Sequence, residues 1–192
     1  MIKIRKDTSN ISICSCQPES FKELKRIIKA RIDEEGPVCD LNDIDVSLVT
    51  DMSYLFYNTG FAGNVSRWNV SNVTDMSYMF AWTEFNGDIS KWNTSKVNDM
   101  VCMFTHSKFN GDLSDWNVSN VKKMMGMFYE SDFNSDISKW NVSNVKNMSV
   151  MFYKSRFNQD ISDWKIGNSV NLNKMFFGCP IKEEYKLKSL QK

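Results

Sequence analysis

The sequence lacks what most function classes require. No apolar run approaches the roughly 18 residues that a transmembrane helix needs. Neither charge sign is in excess: 24 Lys and Arg against 23 Asp and Glu leave a net charge of +1 at pH 7. The signs alternate along the chain, so no pull toward nucleic acid or acidic membrane is expected. There is one histidine, His106, and no nucleophile or carboxylate stands out as its partner. It reads as a surface substitution in the loop after Phe104. No glycine-rich loop suits phosphate, and no carboxylate pair stands apart from the overall pattern. Catalytic, cofactor and metal sites are therefore not expected, and the chain is read as a non-enzyme.

The opening stretch MIKIRKDTSNISICSCQPES carries charges but no apolar segment of the secretory kind. As written it implies the cytoplasm. There are five cysteines, Cys14, Cys16, Cys39, Cys102 and Cys179. An odd count without a secretory leader argues for free thiols. Cys14 and Cys16 form a C-x-C that could be half of a metal site, but no second pair follows at zinc-type spacing.

What the chain does have is a repeat. Trp68, Trp92, Trp116, Trp140 and Trp164 lie 24 residues apart. Val49, Val73, Val97, Val121 and Val145 keep the same period, as do Met52, Met76, Met100, Met124 and Met148. Phe56 to Phe176 forms one phenylalanine column and Phe61 to Phe157 a second, which together hold 11 of the 13 phenylalanines. Such a fixed period is the signature of stacked repeats, and it decides the fold before any local reading.

Three parts follow. Residues 1–39 are a lead-in and a capping helix, 40–178 hold about five and a half repeats of 24 residues, and 179–192 form a C-terminal tail or cap. Ser20 can cap a helix in which Phe21, Leu24, Ile27, Ile28 and Ile32 share one face, and Gly36-Pro37 stops it. Within a unit, W-N-V alternates with period two and predicts a short strand. Val73, Met76, Met79 and Phe80 predict a helix of two to three turns, with Ser71-Asn72 as its cap. Phe85-Asn86-Gly87-Asp88 reads as the turn back. The expected fold is an α/β repeat: a right-handed, leucine-rich-repeat-like solenoid with short parallel strands on one face, short helices on the other and an N-terminal helical cap. Its rungs should rise by about 4.8 Å each.

The segment W-N-V-S-N-V at 68–73, 116–121 and 140–145, with W-N-T-S-K-V at 92–97, resembles the BspA-like leucine-rich-repeat family. That unit carries the same signature followed by M-x-x-M-F and F-N-x-D. The likeness runs from about Asp40 to Phe176. It implies a binding or adhesion module, often on bacterial surfaces or in lipoproteins, and no catalytic residues. Cell surface or secretion is thus the alternative location. The chain departs from the family in lacking a signal peptide and a lipobox cysteine.

Candidate function lies in the columns flanking the inward residues. Arg67, Lys91, Asp115, Lys139 and Asp163 form one, Asn69, Asn93, Asn117 and Asn141 a second ending at Lys165, and Ser71, Ser95, Ser119 and Ser143 a third. On the concave face of a sheet they would meet a protein partner, with a host surface among the candidates. The Asn column can instead be a structural ladder bonded rung to rung. The Trp column reads as core, with a stacking platform as the alternative. The Met columns, holding ten of the twelve methionines, read as packing. Trp82, outside the columns, is a candidate peripheral contact. The expected function is non-catalytic protein interaction or adhesion by a monomer, without nucleic acid. A carbohydrate-binding module using exposed aromatics is the alternative.

Overall fold

The computed structural model describes residues 17, 18 and 20–188. Its single α-helix, α1, spans Phe21–Glu35. The Ser20 hydroxyl accepts from the Glu23 N–H at 3.2 Å, and Gly36, at φ 90°, closes the far end by donating its N–H to the Ile32 carbonyl. Leu24 and Ile28 are buried against the first repeat. Arg31 pins the helix there, reaching the Asp43 carboxylate at 2.8 Å and the Asp40 carbonyl at 2.9 Å.

The array does not form the expected α/β architecture. Among the described residues there is one α-helix, one short 3-10 turn at Glu183–Tyr185, no β-strand and no sheet. A leucine-rich-repeat solenoid of parallel strands backed by helices is therefore absent, and so is its concave sheet face. Each 24-residue unit is instead a rung made of consecutive tight turns. Neighbouring rungs meet at isolated parallel bridges, Asp51 with Asp75, Asp75 with Asp99, Asp99 with Lys123, Lys123 with Asn147 and Asn147 with Asn171, and the first two rungs also at Asp40 with Asn64.

The reason is visible in where the amides go. A helix over 73–80 would send its N–H groups back four residues. Instead Met76, Tyr78, Phe80 and Trp82 donate to Asp99, Val101, Met103 and Thr105 of the next rung, at 2.9–3.0 Å. The residues between them close turns within their own rung, Met79 onto Met76 and Ala81 onto Tyr78. Backbone polar groups must be paired, and here alternate amides satisfy two different partners. The same four cross-rung bonds recur from Met52, Met100, Met124 and Met148 onward.

This backbone demands positive φ at two positions per rung. Tyr54, Tyr78, Cys102, Val150 and Lys174 occupy one column at φ 52–58°, and Asn58, Trp82, His106, Glu130 and Lys154 the other at 49–59°. Left-handed conformation costs an L-residue about 1–2 kcal/mol. Glycine fills the first column only at Gly126 (φ 61°) and the second only at Gly178 (φ 69°).

The core repays that strain. The two phenylalanine columns are fully buried from Phe56 to Phe157. Rings within a rung stack at 3.9–4.3 Å between centroids, and first-column rings in neighbouring rungs at 5.3–5.9 Å. Aromatic pairs of this kind add about 0.5–1.5 kcal/mol beyond their burial. The five column tryptophans are 3–6 % exposed. Each indole N–H donates to a carbonyl of the preceding rung, as Trp116 does to Ile89 at 3.0 Å. Even the departure at Thr94 is satisfied: its buried hydroxyl donates to the Asn117 carbonyl at 3.1 Å.

Two tests follow from this packing. Trp116→Ala is expected to cost about 3–5 kcal/mol in chemical denaturation. Trp116→Phe should cost about 0.5–1.5 kcal/mol for the lost indole hydrogen bond, since the Ile89 carbonyl keeps the Trp92 N–H as a donor. A loss under about 1 kcal/mol for the alanine variant would show that the column does not hold the stack. At the left-handed column, Gly126→Ala should destabilise by about 1–2 kcal/mol and Val150→Gly should raise the melting temperature. Equal effects of the same sign at both sites would contradict the backbone described here.

Candidate functional site

The residues that sequence singled out for binding are brought together on one flank. Arg67, Lys91, Asp115, Lys139 and Asp163 are all exposed, and so are Asn69, Asn93, Asn117 and Asn141. They stand on either side of the buried tryptophans, so the alternation of W-N-V survives in the side chains: Trp92 and Thr94 point in, Asn93 points out. No backbone ladder lies beneath them. Trp92 N–H closes a turn onto Ile89, and Val97 N–H a second onto Thr94. The flank is a row of turns, not the face of a sheet.

The Asn column works within its own rung. Asn69, Asn93, Asn117 and Asn141 accept through Oδ1 from the N–H of Ser71, Ser95, Ser119 and Ser143 at 3.1–3.2 Å. Each starts a local Asx turn. The rung-to-rung amides belong to two other columns. Asn72, Asn120 and Asn144 donate to the Ser47, Ser95 and Ser119 carbonyls at 2.7–2.8 Å. Asn86, Asn110 and Asn134 accept the N–H of Asn110, Asn134 and Asn158 at 2.7–2.8 Å. The W-N-V-S-N-V and F-N segments place asparagine at all three positions, and composition alone does not tell a local turn from a cross-rung bond.

Among the described residues the charged column makes only exposed ion pairs. Lys91 reaches Asp115 at 3.3 Å with both side chains at least 70 % exposed, a contact worth about 0–1 kcal/mol. Asp163 pairs with Lys188. Arg67 and Lys139 have no ion pair among the described residues. Shallow depressions line the same flank. One of about 240 Å³ holds Arg67 and Asn69 beside Asp43 and Asp45, and another of about 390 Å³ holds Asp163 with Asp136 and Asp160.

A third polar column borders this one. Asp88, Asp112 and Asp160 each accept the N–H of the serine two residues on, at 2.9 Å. Those backbone donors, with the serine hydroxyls, hold the three carboxyls below the usual carboxylate range. A depressed folded pKa means stability that is complete above the unfolded value of about 3.9 and is lost as pH falls through the folded value.

The opposite flank carries the exposed tryptophan. Trp82 is 49 % exposed and its ring stacks on His106 at 3.8 Å. The column continues from His106 to Glu130 at 3.6 Å and on to Lys154 at 3.8 Å. Beside it Asp132 pairs with Lys108 at 3.6 Å and Arg156 at 2.9 Å. His106 is thus a stacked neighbour of Trp82. The sequence showed Trp82 but not this charged row, because its residues differ at every rung.

Cys39 is buried, and Cys102 and Cys179 are half-buried free thiols. Burial raises the pKa of Cys179. Cys14 and Cys16 lie outside the described residues. Among the described residues no group of three or more His, Cys, Asp or Glu side chains could hold a metal ion. No helix among them is long and apolar enough to cross a membrane.

Stacked turn-rich rungs built round constant Trp, Met and Phe columns define a tandem-repeat protein. The sequence matches the family described as "Mycoplasma protein of unknown function, DUF285" over residues 23–132 and again over 83–187, and the chain belongs to that family. No curated protein and no solved structure matches it.

The polar column gives a prediction. Asp112→Ala removes the acceptor of the Ser114 N–H, so it should be less stable than the parent at neutral pH. Asp112→Asn retains an acceptor and should recover most of the loss. The gap between the parent and the alanine variant should close as pH falls below the carboxylate range. A gap independent of pH in thermal melts would remove the Asp112 charge from the account.

Proposed function

We propose that this chain is a non-catalytic protein-interaction or adhesion module, and that its partner meets the flank carrying Arg67, Lys91, Asp115, Lys139 and Asp163 with Asn69, Asn93, Asn117 and Asn141. One observation carries the reading. The Trp, Met and Phe columns that build the core repeat without change, whereas the exposed charged column changes sign along the stack while taking little part in packing. Variation that stability does not require is where recognition can be written, because charge complementarity sets partner choice and encounter rate. The likeness of W-N-V-S-N-V to the BspA-like bacterial surface proteins supports a surface location and a host-protein partner.

Carbohydrate binding by the tryptophan column has less support. Those rings are 3–6 % exposed and their N–H groups are already bonded, which leaves no face for a sugar. Trp82 is the exposed exception.

The test compares the parent with a Lys91→Glu, Lys139→Glu double variant, both immobilised and exposed to labelled host-cell surface proteins. Both lysines are exposed, so the melting temperature should not move. Captured protein should fall about tenfold. Equal capture by the two chains would reject this flank as the binding surface, and a lowered melting temperature would show that the column is structural.

A further inference from the structure

The two ends of the stack are chemically complementary. In the interior, each rung donates four amides to the rung that follows it, as Met148, Val150, Phe152 and Lys154 do to Asn171, Asn173, Met175 and Phe177. The last rung repeats the donors at Leu172, Lys174, Phe176 and Gly178, and among the described residues these amides find no acceptor. The first rung repeats the acceptors at Asp51, Ser53, Leu55 and Tyr57, and among the described residues these carbonyls find no donor. One end is therefore a row of donors at alternate residues. The other is a row of acceptors at the same spacing. Open ladder edges of this kind are templates for pairing.

The exposed apolar side chains gather at the same two ends. Among the described residues six large hydrophobic side chains are exposed. Leu48, Tyr54 and Tyr57 belong to the first rung, Val38 immediately precedes it, and Phe177 belongs to the last. Only Trp82 lies along the array. The columns match across the gap as well. Tyr129, Tyr153 and Phe177 stack at 4.9 and 5.1 Å, and Tyr57 holds that position in the first rung. Phe152 stacks on Phe176 at 5.9 Å, whereas the equivalent Phe56 of the first rung is already fully buried, so the aromatic match across the gap rests on Tyr57.

The helix α1 covers the centre of the first rung with Leu24 and Ile28 but does not seal its edge. A groove of about 390 Å³ runs between Ile28 and Ile32 of the helix and Tyr54, Leu55 and Tyr57 of the rung.

We propose that copies of this chain associate head to tail, with the donor edge of one last rung, residues 172–178, entering the groove on the acceptor edge of the next copy's first rung, residues 51–57. The occupant is a second copy because it alone among the surfaces described offers donors at this spacing together with Phe177 for the aromatic column. Two like ends would set donor against donor, so a two-fold dimer is excluded. The contact is heterologous and propagates. This departs from the monomer expected from sequence, and it is independent of the flank proposed above as the partner surface.

Sedimentation velocity of the full chain, from micromolar to sub-millimolar concentration, provides the test. Tyr57→Lys blocks the head and Phe177→Lys the tail, at residues 42 % and 57 % exposed, so each variant should fold cooperatively while losing the ring contacts that Tyr57 makes with Tyr54 and Phe177 with Tyr153. The parent should grow past dimer as concentration rises. Each variant alone should associate about tenfold or more weakly. An equimolar mixture of the two should form a 1:1 dimer and stop there, since each retains one complementary end. A parent that stays monomeric at every concentration overturns the proposal. So does a parent that stops at a dimer, a mixture as monomeric as its components, or an edge occupied by an unrelated co-purifying protein.

Discussion

The structure depends on one division of labour in the backbone: alternate amides of each rung bond to the next rung, and those between bond within their own. This rule forbids a helix, because the N–H groups a helix needs are committed elsewhere. It also forbids a strand, because the intervening amides turn back on themselves. The left-handed columns at Tyr78 and Trp82 are the cost of turning the chain this way. A rung has no way to satisfy its own backbone, so its stability is a property of neighbours, as in other quasi-one-dimensional stacks.

The side chains enforce the same dependence. Each indole N–H reaches back to the previous rung, each phenylalanine stacks on the rungs above and below, and the hydroxyls of Thr83, Ser131 and Ser155 close onto phenylalanine carbonyls three residues earlier. The hydroxyls keep polar residues in a buried position without an unpaired atom. The Trp and Phe columns, whose residues have partners on two rungs, are invariant through the array. The repeat is free to vary at Arg67, Lys91, Asp115, Lys139 and Asp163, where a residue has one exposed partner or none.

Much of this was legible in the sequence, and the misreadings have a common cause. The inward residues were found because a 24-residue period is visible without knowing the backbone. The helix α1 was legible because Ser20, an apolar face at 3.6-residue spacing and Gly36 all agree. The helix expected over 73–80 rested on Val73, Met76, Met79 and Phe80. Strict three-residue spacing also fits successive tight turns whose corners all face inward, and here that is its meaning. The strand expected at W-N-V rested on alternation, which holds in the side chains of Trp92, Asn93 and Thr94 although no ladder forms there. Side-chain periodicity reports which residues face the core. Only the destination of the amides distinguishes strand, helix and turn, and that destination lies 23 residues away, as from Phe80 to Met103.

A ladder in which every rung donates in one direction has unlike ends by construction. However many rungs are stacked, one edge keeps unpaired donors and the other unpaired acceptors. A sheet edge alternates both and can be blunted by pairing with its own kind, but a polar stack has no such solution. Its ends can be covered, as α1 partly covers the first rung, or joined to each other. The exposed aromatics follow the same logic: Tyr57 and Phe177 are surface residues only because the column that buries their equivalents stops there. The flank and the ends therefore carry different information. The charged columns along the flank are free of the fold and suit recognition of something unlike the chain. The ends repeat the fold's own bonding pattern, and what they fit best is another rung.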